Sequence, residues 1–252
     1  MGNVYSKSPL WEVSLELKFA NFYNIKENIP KFYDEIKEKF PYNTVNMEPK
    51  ISINITNQNG EIKTTHEPNS WVFHENKSID DSPIIIEMGK DHCILDFRVF
   101  LGEYNGFTDF KNKYINLLIK SLSIFEIKEV SFIGLRYINN IVCSEGNPLK
   151  WDNIVSDNLI SNGLLSKYDS ISRLMTEFTF EKNDFFINFH FGMFNKEFPN
   201  PIARKEFTLD FDCICNDEVN VFEIEDMVVE MHDTISELFE ENITKDYKKF
   251  IK

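Results

Sequence analysis

Three polar side chains interrupt the most apolar strand-like stretch of the sequence, FIGLRYINNIV at 132–142. They are Arg136, Asn139 and Asn140, and the residues around them are the β-branched, aromatic and aliphatic types typical of a buried strand. An arginine in that position needs a carboxylate or carbonyl partner, because an unpaired buried charge is costly. Two kinds of chemistry fit this pattern. One is a buried ion pair that fixes strand register; the other is an anion-binding guanidinium in a cleft, helped by an asparagine amide.

Acidic residues on other predicted strands are the candidate partners of Arg136. They all lie in strand-like segments: Glu12, Glu16, Asp96, Asp210 and Asp212. In LDFD, 209–212, the spacing of two places Asp210 and Asp212 on one face of a strand. Such a carboxylate pair can hold Mg²⁺ or do acid–base chemistry. It also arises where a strand has one wet face or pairs with an arginine, and the sequence leaves these interpretations open.

The familiar catalytic and metal-binding spacings are missing from the sequence. The five histidines show no HxH, HxxxH or HExxH arrangement, as a zinc hydrolase would. The G-x-S-x-G, G-x-G-x-x-G and P-loop patterns are also missing. We therefore predict no catalytic residues, no metal ligands and no cofactor, and an enzyme is the less favoured interpretation.

The charge balance of the chain is strongly acidic. Its 252 residues carry a formal net charge of −14, and the sequence pI is about 4.9. An acidic surface repels phosphate backbones, so we predict no nucleic-acid binding, whereas a basic protein partner is compatible with it. Residues 1–20 lack the pattern of a secretory leader, and no apolar run has the length of a membrane span. We predict a cytoplasmic protein with four reduced cysteines and no membrane association.

Hydrophobic periodicity predicts an α+β protein, with antiparallel sheet and amphipathic helices packed on one of its faces. Strand patterns occur at 9–19, 50–56, 60–66, 70–76, 82–89, 92–102, 126–143, 172–181, 184–194 and 205–216. The Asn-Gly pair in NQNG, 57–60, predicts a hairpin turn. Helix patterns occur at 28–40, 106–125, 147–160 and 223–243, the last being a long C-terminal helix. A linker near 144–150 predicts an N-terminal half, 1–145, and a C-terminal half, 146–252; the alternative is one continuous domain.

The predicted C-terminal helix carries an apolar stripe along one face. Its members recur at helical spacing: Met227, Met231, Ile235, Leu238 and Phe239. Packing on the chain's own sheet is the favoured interpretation of this stripe. A surface for a partner or for self-association is the alternative, since methionine-rich faces adapt to many surfaces.

Three segments of the chain resemble an uncharacterised, sporadically distributed family of prokaryotic proteins of about this length. PLWEV, 9–13, matches its Pro-Leu-x-Glu-Val opening strand, and GLRYIN, 134–139, matches its central signature. LFEENIT, 238–244, matches its Leu-Phe-Glu-x-x-Ile-Thr end, so the resemblance spans the whole chain in the family's order. Asn140 departs from the pattern, which more often has a basic or small residue there. The resemblance implies no settled activity. The family's patchy distribution resembles that of accessory genes such as defence or toxin–antitoxin loci.

The function that these observations favour is non-catalytic binding. We expect a protein partner or self-association, in an accessory or defence-type setting. The alternative is a small-ligand-binding or metal-dependent enzyme that brings Arg136, Asp210 and Asp212 together in one cleft.

Overall fold

The computed structural model describes residues 7–20, 22, 24–56, 59–160, 165, 167–168 and 170–252. In chain order the strands are β1 (Leu10–Lys18), β2 (Tyr42–Thr56), β3 (Asn59–His74), β4 (Ile84–Gly89), β5 (His92–Arg98), β6 (Glu129–Val130), β7 (Phe132–Cys143), β8 (Leu174–Lys182), β9 (Phe185–Met193), β10 (Lys205–Cys215) and β11 (Val219–Asn220). The helices are α1 (Ile25–Ile36), α2 at 107–122, α3 (Ile224–Asn242) and α4 (Lys245–Ile251). Helix α2 contains a π-helical turn at Lys111–Ile115.

Nine of these strands form one antiparallel sheet in the order β2-β3-β4-β5-β1-β7-β10-β9-β8, and β6 pairs with β11 separately. The predicted α+β class is confirmed, with a long helix near the C-terminus. Strand β7 pairs along its length with β10, so the sheet continues across the predicted boundary between 145 and 146. A single cluster of buried apolar residues also contains side chains from both sides of that boundary.

The two faces of the sheet differ because successive side chains of a strand point to opposite sides. One row across five adjacent strands, from β5 to β9, is apolar and fully buried, and consists of Leu95, Leu15, Leu135, Cys213 and Ile187. The adjacent row, one residue along each strand, is polar and consists of Asp96, Ser14, Arg136, Asp212 and Asn188. Strand register therefore sorts the core and the charged residues onto opposite faces.

Helices α1, α2 and α3 all pack on the apolar face, as the sequence predicted. Phe32 of α1 contacts Phe73 of β3, with ring centroids 5.2 Å apart. Phe110 of α2 contacts Phe97 of β5 at 5.8 Å, and His232 of α3 contacts Tyr137 of β7 at 5.6 Å. We call the opposite side, which carries Arg136, the open face.

One local prediction is wrong, and another can be compared with the structure only in part. The helix predicted over 147–160 is wrong: the chain there forms turns, Asn153 has a φ of 68°, and Val155 forms a bridge with Ile243. Its apolar spacing reflects burial of Trp151 against Phe207, with ring centroids 5.2 Å apart, not a helix. At the predicted hairpin, Thr56 pairs with Asn59, and residues 57–58 of the connection lie outside the described residues.

Candidate functional site

The open face gathers most of the charged residues that the sequence singled out. Glu12 and Glu16 lie on β1, Arg136 and Asn140 on β7, and Asp210 and Asp212 on β10, and all six side chains alternate with core residues. A β-bulge in β1 between Leu10 and Glu12 shifts the strand register at that point. Leu10 pairs with Asn139 on the helix side of the sheet, whereas Glu12 pairs with Ile138 on the open face. The central strands therefore carry a polar patch on a rigid sheet.

An ion pair between Arg136 and Asp210 forms the centre of this patch. The arginine Nε donates to one carboxylate oxygen at 2.9 Å, and Nη2 donates to the other at 2.7 Å. The Asp210 side chain is 6% exposed and that of Arg136 is 46% exposed. Asp212, not Asp210, lies directly opposite Arg136 in the ladder, so the guanidinium reaches diagonally to the more buried acid. The hydrogen bond to Asp210 is the main reason that the pKa of Arg136 is raised.

Three half-buried carboxylates surround this pair: Glu12, Asp96 and Asp212. Burial raises the pKa of each. The Asp96 carboxylate raises the pKa of Glu12 further, whereas Arg136 and Arg98 lower it. Hydrogen bonds from Ser14 to Asp96 and from Asn188 to Asp212 act in the opposite direction by lowering the two pKa values. Within the described part of the chain, none of the three has a cationic side chain within salt-bridge distance.

The two asparagines of the GLRYINN segment do not act together. Asn139 faces the helices, is 6% exposed, and donates from Nδ2 to the carbonyl of Leu209 at 3.3 Å. Asn140 lies on the open face, and its backbone N–H donates to the carbonyl of Pro9 at 2.8 Å. The structure thus keeps Asn139 apart from Arg136, because consecutive strand residues point to opposite faces.

Two residues of β9 belong to the patch although the sequence did not single them out. His190 Nδ1 lies 3.5 Å from Asp210 Oδ2, and His190 Nε2 lies 3.4 Å from Glu177. Asn188 donates to Asp212 at 3.4 Å. The signal was available in FFINFHFGM, 185–193, where two polar residues two apart interrupt an otherwise apolar strand.

The apolar stripe of α3 packs inside the protein. Met231, Ile235, Leu238 and Phe239 are buried at 0 to 9% exposure, and Met227 packs against the core as a partly buried residue. The stripe is therefore used by the chain's own sheet, which leaves these side chains unavailable to a partner.

The cysteines are all free thiols. Cys213 and Cys215 share one face of β10, as their spacing predicts, and both are buried in the core. Burial raises the pKa of the Cys93 and Cys213 thiols, which keeps them protonated and unreactive.

Neither the models of protein families nor the curated proteins gave a match to the sequence. Among the described residues, no three His, Cys, Asp or Glu side chains are grouped so that they could hold a metal ion. No helix in the described ranges combines the length and the hydrophobicity that crossing a lipid bilayer requires.

Proposed function

We propose that the protein is a non-catalytic binding protein whose open face docks a basic protein partner. The observation that carries the proposal is the excess of carboxylates around the Arg136–Asp210 pair. Glu12, Asp96 and Asp212 are half-buried without a salt bridge to the described residues, and a cationic side chain from a partner would offset the cost of burying their charged forms.

Apolar side chains on the same face support docking of a protein. Val142, Phe186 and Met175 are 58%, 43% and 49% exposed on β7, β9 and β8. Protein interfaces of the non-obligate kind bury apolar and polar surface together, so the charged groups do not exclude docking here. Partner lysines or arginines would meet the carboxylates, and apolar partner groups would cover these three side chains.

A basic partner is favoured over a second copy of the chain on electrostatic grounds. If two open faces were brought together, the carboxylates of one would face those of the other and repel them. The net charge of −14 on each copy adds to this repulsion. The resemblance to a sporadically distributed prokaryotic family favours an accessory or defence-type locus as the setting. Inhibition of a basic toxin is one function of this kind.

The enzyme alternative has less support. The Arg136 guanidinium already donates to both oxygens of Asp210, so an anionic substrate would have to compete with an intramolecular carboxylate. We therefore do not propose a catalytic cleft around Arg136, Asp210 and Asp212.

The salt dependence and charge dependence of partner capture test the proposal. We expect the tagged protein to capture one basic protein in stoichiometric amount from its native host at low salt, and to release it as salt screens the contact. Neutralising the patch with Glu12→Gln, Asp96→Asn and Asp212→Asn together should weaken binding about tenfold or more, measured by calorimetry on the purified pair.

A matched control separates the open face from net charge. Glu38, Asp217 and Glu218 are exposed and lie away from the sheet's open face. Replacing these three by Gln, Asn and Gln changes the net charge by the same amount and should leave binding within about twofold of wild type. Equal weakening by both triple variants, or a partner held equally well at high salt, would contradict docking at the open face.

A further inference from the structure

A second feature of the molecule, separate from the open face, is a cavity of about 520 Å³ on the helix side of the sheet. It lies between the later part of β7, the start of α2 and the middle of α3. Its volume falls within the range of roughly 300–1,000 Å³ that is usual for small-molecule sites. Its lining residues come from elements far apart in sequence, so no local pattern predicts the cavity.

A chain of hydrogen-bonding side chains runs along the cavity wall. Tyr104 and Tyr137 place their hydroxyl oxygens 3.4 Å apart, and the Tyr137 hydroxyl lies 3.0 Å from His232 Nδ1. His232 Nε2 lies 3.4 Å from the Ser236 hydroxyl, one helical turn further along α3. All four side chains line the cavity. Each hydroxyl both donates and accepts, and a neutral imidazole offers one donor and one acceptor.

The four side chains of this hydrogen-bonded row are uncharged at neutral pH. Burial lowers the pKa of His232 to about 4, and burial raises the pKa values of Tyr104 and Tyr137. Of the charged residues on the lining, Lys111 is paired with Glu225 and Glu240 with Lys248 at 2.7 Å. Asp233 is exposed to solvent and has an interaction of its own. A charged ligand would therefore contact neutral hydrogen-bonding groups and charged side chains that already have partners.

Aromatic rings form part of the apolar lining of the site, together with Leu10, Val229 and Ile235. Phe107 stacks on the His232 imidazole, with ring centroids 3.8 Å apart and an interplanar angle of 7°. Gly106, with a φ of 96°, turns the chain immediately before Phe107 and also lines the cavity. The π-helical turn that follows places Lys111 on the lining, and such turns occur often at binding sites.

We propose that the cavity binds a small uncharged molecule with an aromatic ring and an amide-like group. The aromatic wall would hold the ring, and the Tyr104–Tyr137–His232–Ser236 chain would exchange hydrogen bonds with a group that both donates and accepts. This inference does not rest on the proposed docking function, because the cavity and the open face lie on opposite sides of the sheet.

Three probes of nearly equal shape and different charge test the inference: benzamide, benzoate and benzamidine. We expect benzamide to bind saturably at one site with a millimolar dissociation constant in ligand-observed NMR and calorimetry. Benzoate and benzamidine should bind at least about tenfold more weakly, because a charge would be desolvated without a free counter-charge.

Two variants locate the binding. Tyr137→Phe keeps the ring and removes one hydroxyl, and should weaken benzamide binding by about three- to tenfold. Ser236→Leu removes the last hydroxyl of the row and places a larger apolar side chain in the cavity from α3, and should abolish binding. Tyr247→Phe is the matched control, since it also removes the hydroxyl of a buried tyrosine but lies on α4 outside the cavity lining; it should bind like wild type.

The circular dichroism spectrum of each variant shows whether it is folded, and Ser236→Leu provides the test if Tyr137→Phe does not fold. Failure of benzamide to bind wild type would overturn the inference. Equal binding of benzoate or benzamidine would overturn the uncharged ligand class, and benzamide binding that survives Ser236→Leu would place it elsewhere. Partner capture by the same variants remains a separate measurement, so failure here leaves the docking proposal standing.

Discussion

Replacing Arg136 with alanine is expected to lower the free energy of unfolding by about 2 kcal/mol. The change leaves the Asp210 carboxylate, which is 6% exposed, without its two guanidinium donors. Breaking a fully buried pair costs about 3–5 kcal/mol; we expect less here because the Arg136 side chain is 46% exposed and water can replace part of the interaction. Urea unfolding followed by circular dichroism at neutral pH measures the loss.

A compensating variant shows whether this loss comes from the unpaired charge. The double variant Arg136→Ala with Asp210→Asn should regain most of the stability, because an amide in place of the carboxylate needs no counter-charge. Lys120→Ala is the control for a surface pair, because Lys120 Nζ lies 3.4 Å from Glu35 Oε2 and both side chains are exposed. Its loss should lower the free energy of unfolding by at most about 0.5 kcal/mol. An Arg136→Ala protein as stable as wild type would show that the pair does not hold the sheet, and would favour the anion-binding interpretation of this arginine.

Lowering the pH from 7 to about 4.5 should cost the folded protein about 2 kcal/mol through His232 alone. Burial lowers the pKa of His232 in the folded state from 6.5 to about 4. Below pH 6.5 the unfolded chain therefore binds a proton that the folded protein excludes. The contribution of this histidine to stability is complete above pH 6.5 and is lost as the pH falls toward 4.

The comparison that isolates this effect is between wild type and His232→Gln. Glu12, Asp96 and Asp212, whose pKa values are raised by burial, contribute an opposite slope in acid, and they are present in both proteins. The variant should show less acid destabilisation by about 2 kcal/mol, while His66→Gln, which removes an exposed imidazole, should follow wild type. Parallel pH curves for wild type and His232→Gln would contradict a buried neutral imidazole in the cavity.

Much of the architecture follows from local patterns in the chain. Alternation in PLWEVSLELKF, 9–19, and in KEFTLDFDCICN, 205–216, predicted strands that the structure contains as β1 and β10. Helical spacing likewise predicted α1, α2 and α3. These predictions hold because a period of two or of 3.6 is a property of the backbone itself and needs no knowledge of neighbours. The helix predicted at 147–160 failed because burial of Trp151 and its neighbours imitates that spacing in a chain of turns.

The candidate site was predictable as a set of residues but not as an arrangement. The spacing of Asp210 and Asp212 showed that they share a face, and the charge of Arg136 showed that it needs an acid. Only strand pairing decided that Asp212 lies opposite Arg136 while Asp210 accepts its hydrogen bonds. That choice depends on side-chain reach across a ladder and on burial, neither of which a single strand encodes.

The sequence by itself determined the longer strands, the helices α1, α2 and α3, the α+β class and the sorting of apolar and polar side chains to opposite sides of each strand. Tertiary structure alone decided which strands pair, that the charged sides form one open face, and that Tyr104, Tyr137, His232 and Ser236 meet in a cavity. The physical reason is the range of the interactions involved. Periodicity records what each element buries within a few residues, whereas the Tyr137–His232 contact joins residues 95 positions apart and exists only once the helices pack on the sheet.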